Sequence, residues 1–170
     1  MDMPPAPSGD LIADLGYLCL GSRLKRLGER MQSGVAQHLA VRGLDVQPAQ
    51  LPLLWALGVD GPLTVGALGE RLGISQPGVS RALVALQRQG LVTRAEGGQD
   101  KRRRVIAISA AGAKLMAELS ASFFPAVRGA VADVCAATGV DLLAAISRIE
   151  ADLDRQPLED RIARTRKERP

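Results

Sequence analysis

The segment from Thr64 to Ser109 constrains the fold of this chain more than any other. It contains two short amphipathic stretches, whose ends are marked by two capping hydroxyl residues and two glycines: Thr64 and Gly73, then Ser75 and Gly90. Strands are predicted at 91–94 and 105–108, with a polar loop between them. Two short helices followed by a charged hairpin predict a winged helix-turn-helix, a unit that places one helix in a DNA major groove.

The second helix of this unit separates an apolar face from a polar one. Val79, Leu83 and Leu86 are predicted to point inward. The outward residues are short or hydrogen-bonding, as base and phosphate contacts require. The predicted DNA contacts of this helix are Ser75, Gln76, Gly78, Ser80, Arg81 and Arg88. Arg88 is equally well explained as a helix-end charge favoured by the dipole.

The hairpin loop supplies the second group of predicted DNA contacts, Lys101, Arg102 and Arg103. A cationic loop beside a recognition helix can enter a minor groove, although charge runs are usually only solvated. From Thr64 to Arg104 there are eight basic and three acidic residues, a net charge of +5. The whole chain carries only +4, so the positive field belongs to this unit.

The composition argues against an enzyme or a metal protein. The 170 residues include one His and two cysteines, and 46% are hydrophobic but only 2% aromatic. Cys19 and Cys135 give neither a metal-ligand spacing nor a disulfide framework. No phosphate-binding glycine motif is present, so we expect no catalytic residues, no metal and no cofactor.

The N-terminus lacks a basic segment followed by an apolar run, and no uncharged apolar stretch reaches the ~18–20 residues needed to span a bilayer. We therefore expect a cytoplasmic protein without a membrane partner.

The flanking segments predict a mainly α fold, with a small β-hairpin wing and helices on both sides of the winged helix-turn-helix. The expected parts are a disordered N-terminus (1–9), an N-terminal dimerisation helix (10–46), the winged helix-turn-helix (47–109), C-terminal dimerisation helices (110–153) and a charged tail (154–170), mobile or frayed past Pro157. The helices carry more apolar surface than one subunit can bury, which predicts a homodimer.

Details within these helices are also predicted. One continuous helix is expected from Asp10 to Arg42, near 50 Å long at ~1.5 Å per residue. Pro125 should kink or interrupt the later long helix. Trp55 is expected in the core, or lining an effector pocket with Met31 and His38.

The chain resembles the MarR family of bacterial transcription regulators over nearly all of the range from Leu11 to Leu153. The most specific similarities are the stretch 63–73, Val79-Ser80-Arg81 with Leu83 and Leu86, the stretch 90–94, Asp100-Lys101-Arg102, and the stretch 108–112. Together these motifs make a strong match, whereas each alone is weak.

The resemblance implies a homodimer that binds a pseudo-palindromic operator, usually as a repressor, and that is often released by a small phenolic or other aromatic ligand. It implies that Arg102 enters the minor groove and that Asp100 helps hold the wing. It also implies dimer contacts from the start of the first helix and from the last two helices.

Other functions remain open from the sequence. One is a winged helix that binds protein, although the basic and amide side chains argue against it. Another is a redox-responsive regulator that uses Cys19, but the family's peroxide-sensing position aligns with Leu15 here, one turn earlier.

Overall fold

In a computed structural model, residues 9–95 and 105–167 are described. The N-terminal half contains α1 (Leu11–Asp14), a 3₁₀ turn (Gly16–Cys19), α2 (Leu20–Val41), a 3₁₀ turn (Pro48–Gln50), α3 (Leu51–Val59), β1 (Leu63–Thr64), α4 (Val65–Leu72) and α5 (Gln76–Arg88). The remainder contains β2 (Val92–Arg94), β3 (Val105–Ile108), α6 (Ala110–Glu118), a π-helical turn (Leu119–Phe123), α7 (Phe124–Ala136), α8 (Leu142–Arg155) and α9 (Leu158–Lys167). The mainly α fold with a small β wing is confirmed.

The described residues fall into two compact units, one ending at Leu119 and the other beginning at Ser120. The first unit holds a core of leucine and valine side chains, fully covered at Leu54, Leu68, Val79 and Leu86. These residues come from α3, α4 and α5, so the helix-turn-helix and the helix before it share one core. Burial of this kind of side chain is the main stabilising contribution to such a fold.

A three-stranded antiparallel sheet, in the order β1-β3-β2, closes the wing side of this unit. Leu63 pairs with Ile106, and Val92 pairs with Ile108. The sequence predicted β2 and β3 but not β1. Two residues are too few to show an alternating pattern, so only pairing with the distant strand reveals β1.

The continuous N-terminal helix expected from Asp10 to Arg42 is wrong. Gly16 adopts a left-handed φ of +53° and separates α1 from α2. A right-handed α-helix cannot continue through a left-handed residue, so α1 ends just before it. The Nη atoms of Arg26 then reach both carboxylate oxygens of Asp10, at 3.0 and 2.6 Å, and hold the start of α1 against α2.

The α-helical pattern of the later helix is interrupted, as predicted, by the π-helical turn directly before Pro125, which lies in the first turn of α7. Trp55 is not in the core, because 48% of its surface is exposed.

Residues 158–167, expected to be part of a mobile or frayed tail, form α9. Arg161 stabilises α9 by donating to the Asp152 carbonyl and carboxylate and to the Gln156 carbonyl.

The helical stretch Ala110–Ala136 is long and apolar enough to cross a membrane by length and composition, with a mean hydropathy of 1.2 in its best window. The sequence reading missed it because it required an uncharged stretch, and charged residues such as Lys114 and Arg128 lie within this helix. A single such helix is weak evidence for a membrane segment, since core helices meet the same criteria.

Candidate nucleic-acid interface

The first helix of the helix-turn-helix begins and ends as its sequence predicts. The Thr64 hydroxyl accepts a hydrogen bond from the Ala67 amide at 3.2 Å, which caps α4. Gly73 follows α4 with a left-handed φ of +63°, and the Ile74 amide donates to the Gly69 carbonyl at 3.0 Å. This pattern is a Schellman-type helix end, which glycine permits without steric strain.

The turn between α4 and α5 is held by a close approach at Gly69. A Cβ at this position would lie 2.8 Å from the Ile74 carbonyl oxygen, so a larger residue would push the turn away from α4. The turn sets where α5 begins. The spacing of the two helices therefore depends on a backbone contact that only glycine allows.

Ser75 is the N-cap residue of α5, as predicted, but its side chain makes no capping hydrogen bond. The helix begins through the backbone, with the Val79 amide donating to the Ser75 carbonyl at 3.0 Å. A cap hydroxyl usually accepts from the second or third helical amide. Pro77 occupies the second position and has no N–H, so one of these donors is missing.

The two faces of α5 are divided as the sequence indicates. Val79, Leu83 and Leu86 are buried with at most 3% exposure. The predicted contact residues lie on the other side: Ser75, Gln76, Ser80, Arg81 and Arg88 are exposed, and Gly78 is half-buried. A Cβ on Gly78 would lie 3.0 Å from the Ile74 Cγ2 atom, so this glycine lets the turn pack against the helix.

The charge of the α5 face is basic. The helix contains no acidic residue and carries Arg81 and Arg88. Arg71, on α4, is instead engaged by Asp60, with Nε and Oδ2 2.8 Å apart, and this hydrogen bond raises the pKa of the guanidinium. Sequence reasoning did not find this ion pair, because the two residues belong to different helical segments.

The base of the wing hairpin is present. Arg94 pairs with Ile106, and the Ala95 amide donates to the Val105 carbonyl at 3.0 Å. Asp100, Lys101, Arg102 and Arg103, which the sequence assigns to the wing, lie outside the described residues.

Ser109 joins the end of the recognition helix to the start of α6. Its hydroxyl donates to the Gly90 carbonyl at 2.6 Å and accepts from the Gly112 amide at 3.0 Å. Its own amide donates to the Leu91 carbonyl at 3.0 Å. The predicted cap of α6 is confirmed, and the same residue anchors the turn between α5 and β2.

Residues 44–103 match the model of the MarR family. This range includes the whole helix-turn-helix and nearly all of the segment between the wing strands. The chain is similar to the MarR family over this segment. This similarity supports a DNA-binding winged helix of the kind found in transcription regulators.

Solved structures of MarR family proteins are similar to most of the chain. A transcriptional regulator from Silicibacter pomeroyi is 26% identical, with a TM-score of 0.57, over 94% of this chain and 99% of that one. A regulator from Neisseria meningitidis is also 26% identical, with a TM-score of 0.53, over 89% of this chain and 96% of that one. MepR from Staphylococcus aureus, solved as a DNA complex, shares the fold at 23% identity and a TM-score of 0.64, over 79% and 98% of the two chains. None of the curated proteins matches the chain significantly.

The residues suggested for an effector pocket lie mostly at the surface. Met31 is half-buried, whereas His38 and Trp55 are exposed. One cleft among the described residues lies elsewhere, between the loop 43–46, Gln89, Leu91 and Leu115. Cys19 and Cys135 are both half-buried free thiols.

Proposed function

We propose that this chain represses transcription as a homodimer, with α5 of each subunit in a major groove of a pseudo-palindromic operator and the wing in the adjacent minor groove. The proposal rests on the exposed polar face of α5. Gln76, Ser80 and Arg81 are exposed at the N-terminal part of a helix whose opposite side is anchored in the core. Recognition helices contact base edges from this part.

The side chains on this face suit a DNA surface. Glutamine and arginine can make paired hydrogen bonds to adenine and guanine edges, and serine can bond to bases or phosphates. The absence of acidic residues from α5 removes the repulsion that phosphates would meet. Arg88 extends the basic character to the end of the helix.

The wing completes the proposed contact. The strands that flank residues 96–104 pair with each other and belong to the same unit as α5. We assign Lys101, Arg102 and Arg103 to phosphate and minor-groove contacts and Asp100 to support of the wing. Arginine is favoured in narrow minor grooves because the negative potential is concentrated there.

Dimerisation is supported by apolar side chains that a single chain leaves exposed. In the first unit one group lies before and at the start of α2, where Leu11, Tyr17 and Leu18 are 70%, 94% and 81% exposed. In the second unit they recur along α8, at Leu143, Ile149 and Leu153. Large exposed apolar surfaces on monomeric proteins are rare, and a second copy of the chain would cover both.

These surfaces indicate which segments of the chain form the proposed dimer and which contact DNA. Segments 10–46 and 110–153 form the dimer, and segment 47–109 reads DNA. A small aromatic effector would release the operator, and the protein would act in the cytoplasm, where the DNA is.

Selection of bound duplexes from a random DNA library, followed by a salt titration on the selected sequence, tests the proposal. We expect an inverted repeat with half-sites about one helical turn apart and an affinity that falls steeply with salt. Failure to enrich any sequence would contradict operator recognition. It would favour a winged helix that binds protein.

Sedimentation of the purified chain tests the dimer separately. We expect twice the monomer mass of 17.9 kDa at micromolar concentration. A monomer at that concentration would overturn the assignment of the exposed apolar residues to a subunit interface.

A further inference from the structure

Val84 is an apolar side chain on the otherwise polar exposed face of α5. It is 47% exposed, whereas the other large aliphatic side chains of this helix, Val79, Leu83 and Leu86, are at most 3% exposed. The side chain therefore contributes little to the core. Single exposed apolar residues are common on protein surfaces, so exposure alone assigns Val84 no role. Its position on the helix does.

Helical spacing places Val84 at the centre of the surface opposite the core. Pro77, Arg81, Val84 and Arg88 are all exposed and follow one another at intervals of four, three and four residues. Side chains at these intervals share one face of a helix. We call these four residues the outer stripe of α5. Its two arginines lie about one turn on either side of Val84, so the valine lies between the charges of the proposed contact face.

The outer stripe is long enough for Val84 to reach base edges. Base-contacting residues of other DNA-binding helices span about seven positions along one face. Pro77 and Val84 are seven positions apart. This interval is about 10 Å along the axis, at ~1.5 Å per residue. A helix that contacts bases through Gln76 and Arg81 thus carries Val84 into the same groove.

The chemistry of valine favours one partner in a major groove. The side chain has no hydrogen-bond donor or acceptor, so it gains nothing from a phosphate or from the polar atoms of the bases. The C5-methyl group of thymine is the apolar group that the base edges present there. Valine is also stiff in a helix, since one χ1 rotamer dominates. Its two methyl groups therefore hold a fixed position, and little entropy is lost when they make a contact.

We propose that Val84 selects a T·A base pair at one position in each half-site of the operator, by packing its methyl groups against the thymine C5-methyl group. This inference rests on the operator function proposed above and specifies part of its sequence preference. Gln76, Ser80 and Arg81 supply hydrogen bonds to neighbouring bases or phosphates, and Val84 supplies the apolar contact. In a dimer the preference occurs twice, at symmetric positions of the inverted repeat.

Replacement of thymine by deoxyuridine tests this contact directly, because deoxyuridine pairs with adenine as thymine does and lacks only the methyl group. On the operator selected from a random library, each thymine is replaced in turn together with its symmetric counterpart. Fluorescence anisotropy then measures the affinity. We expect a symmetric pair of thymines whose replacement weakens binding about fifteenfold, since burial of one methyl group contributes about fourfold in each half-site.

Variants identify the side chain that contacts this methyl group. Val84→Ala should bind the thymine and deoxyuridine operators about equally, because the methyl groups of the valine are gone. Val84→Ile keeps a branched apolar side chain and should keep the discrimination. Val59→Ala is the matched control, because it removes the same groups from a position on α3 that is 66% exposed, and it should also keep the discrimination. The melting temperatures should stay near that of the wild type, since both valines are exposed.

A second selection from the random library, made with Val84→Ala, gives an independent measurement. We expect the preference for T·A to disappear at the position found with deoxyuridine and the rest of the inverted repeat to be retained. An unchanged preference at that position would contradict the assignment.

The outcomes separate this inference from the operator function. If an operator is selected but no deoxyuridine replacement lowers its affinity, or if the loss persists in folded Val84→Ala, the role of Val84 is overturned and the operator function stands. If no sequence is enriched at all, the operator function is contradicted, and the role of Val84 is overturned with it.

Discussion

A Cβ atom on Gly112 would lie 2.2 Å from the carbonyl oxygen of Leu91. The same carbonyl accepts a hydrogen bond from the Ser109 amide, so it cannot move aside without breaking that bond. The start of α6 is thus packed directly onto the backbone that leads from α5 into the wing.

Gly112→Ala should therefore destabilise the protein by about 1–3 kcal/mol, the usual cost of forcing an extra group into a packed site. The free energy of unfolding, measured with urea, checks this. Gly34→Ala is the matched control, because nothing lies within 4 Å of a Cβ there, and its helical backbone should make it neutral or slightly stabilising. Equal stability of the two variants would show that α6 is not packed on Leu91.

The ion pair between Asp10 and Arg26 should be visible in an NMR titration of the Asp10 carboxyl. The hydrogen bond from Arg26 lowers its pKa below the ordinary value of 3.8. A lowered pKa means that the pair stabilises the folded state above that value and that the stabilisation is lost as the pH falls through the folded pKa.

In Arg26→Gln the pKa of Asp10 should rise toward 3.8. Lys25→Gln is the control, since Lys25 is paired with Glu29 instead and should leave the Asp10 titration unchanged. A pKa of Asp10 that is the same in both variants would contradict the contact between α1 and α2.

Arg81→Ala should weaken operator binding without changing the melting temperature, because the side chain is exposed and lies on the proposed contact face. If Arg81 contacts a phosphate, the slope of log affinity against log salt should fall by about one. Arg30→Ala removes the same charge from an exposed position on α2 and should have a much smaller effect. Equal losses in the two variants would reduce the role of Arg81 to net charge.

Arg102→Ala tests the minor-groove contact of the wing, which the sequence predicts. We expect a loss of operator affinity with little change in melting temperature, because a minor-groove arginine contributes to binding and not to the core. Fluorescence anisotropy on the selected operator measures it. Unchanged affinity would remove Arg102 from the mechanism.

Arg161→Ala should unravel α9, since this guanidinium makes the three hydrogen bonds to Asp152 and Gln156 that hold the helix. Hydrogen exchange of residues 158–167 should become fast, while exchange in α8 is largely retained. Arg164→Ala, an exposed substitution on the same helix, should leave the protection in place. Loss of protection in both variants would point to general weakness of α9.

The two helices of the helix-turn-helix could be predicted closely because the residues that mark their ends and their buried face lie within a few positions of one another. Thr64, Gly73 and Gly90 each act on the turn of helix beside them, and the inward spacing of Val79, Leu83 and Leu86 needs only helical periodicity. The same reasoning misjudged Ser75, where the neighbouring proline removes a donor, and Gly16, where a lone glycine in a helical pattern does not reveal its φ.

The candidate site shows the same difference between features set by neighbouring residues and features set by distant ones. Its polar residues on α5 were found from the sequence, because a helix with a buried face must expose the opposite one. The cleft at Gln89 was not, because Asp45 and Leu115 are distant in sequence from that glutamine.

By itself, the sequence determined the helix-turn-helix, its polar face and the concentration of positive charge, since these depend on residues within a few positions of one another. Only the tertiary structure decided the pairing of β1 with β3, the approach of Gly112 to Leu91 and the bond from Gln89 to Asp45. These contacts join segments about 20 to 45 residues apart, and the chain entropy that they cost is repaid only when the whole core assembles.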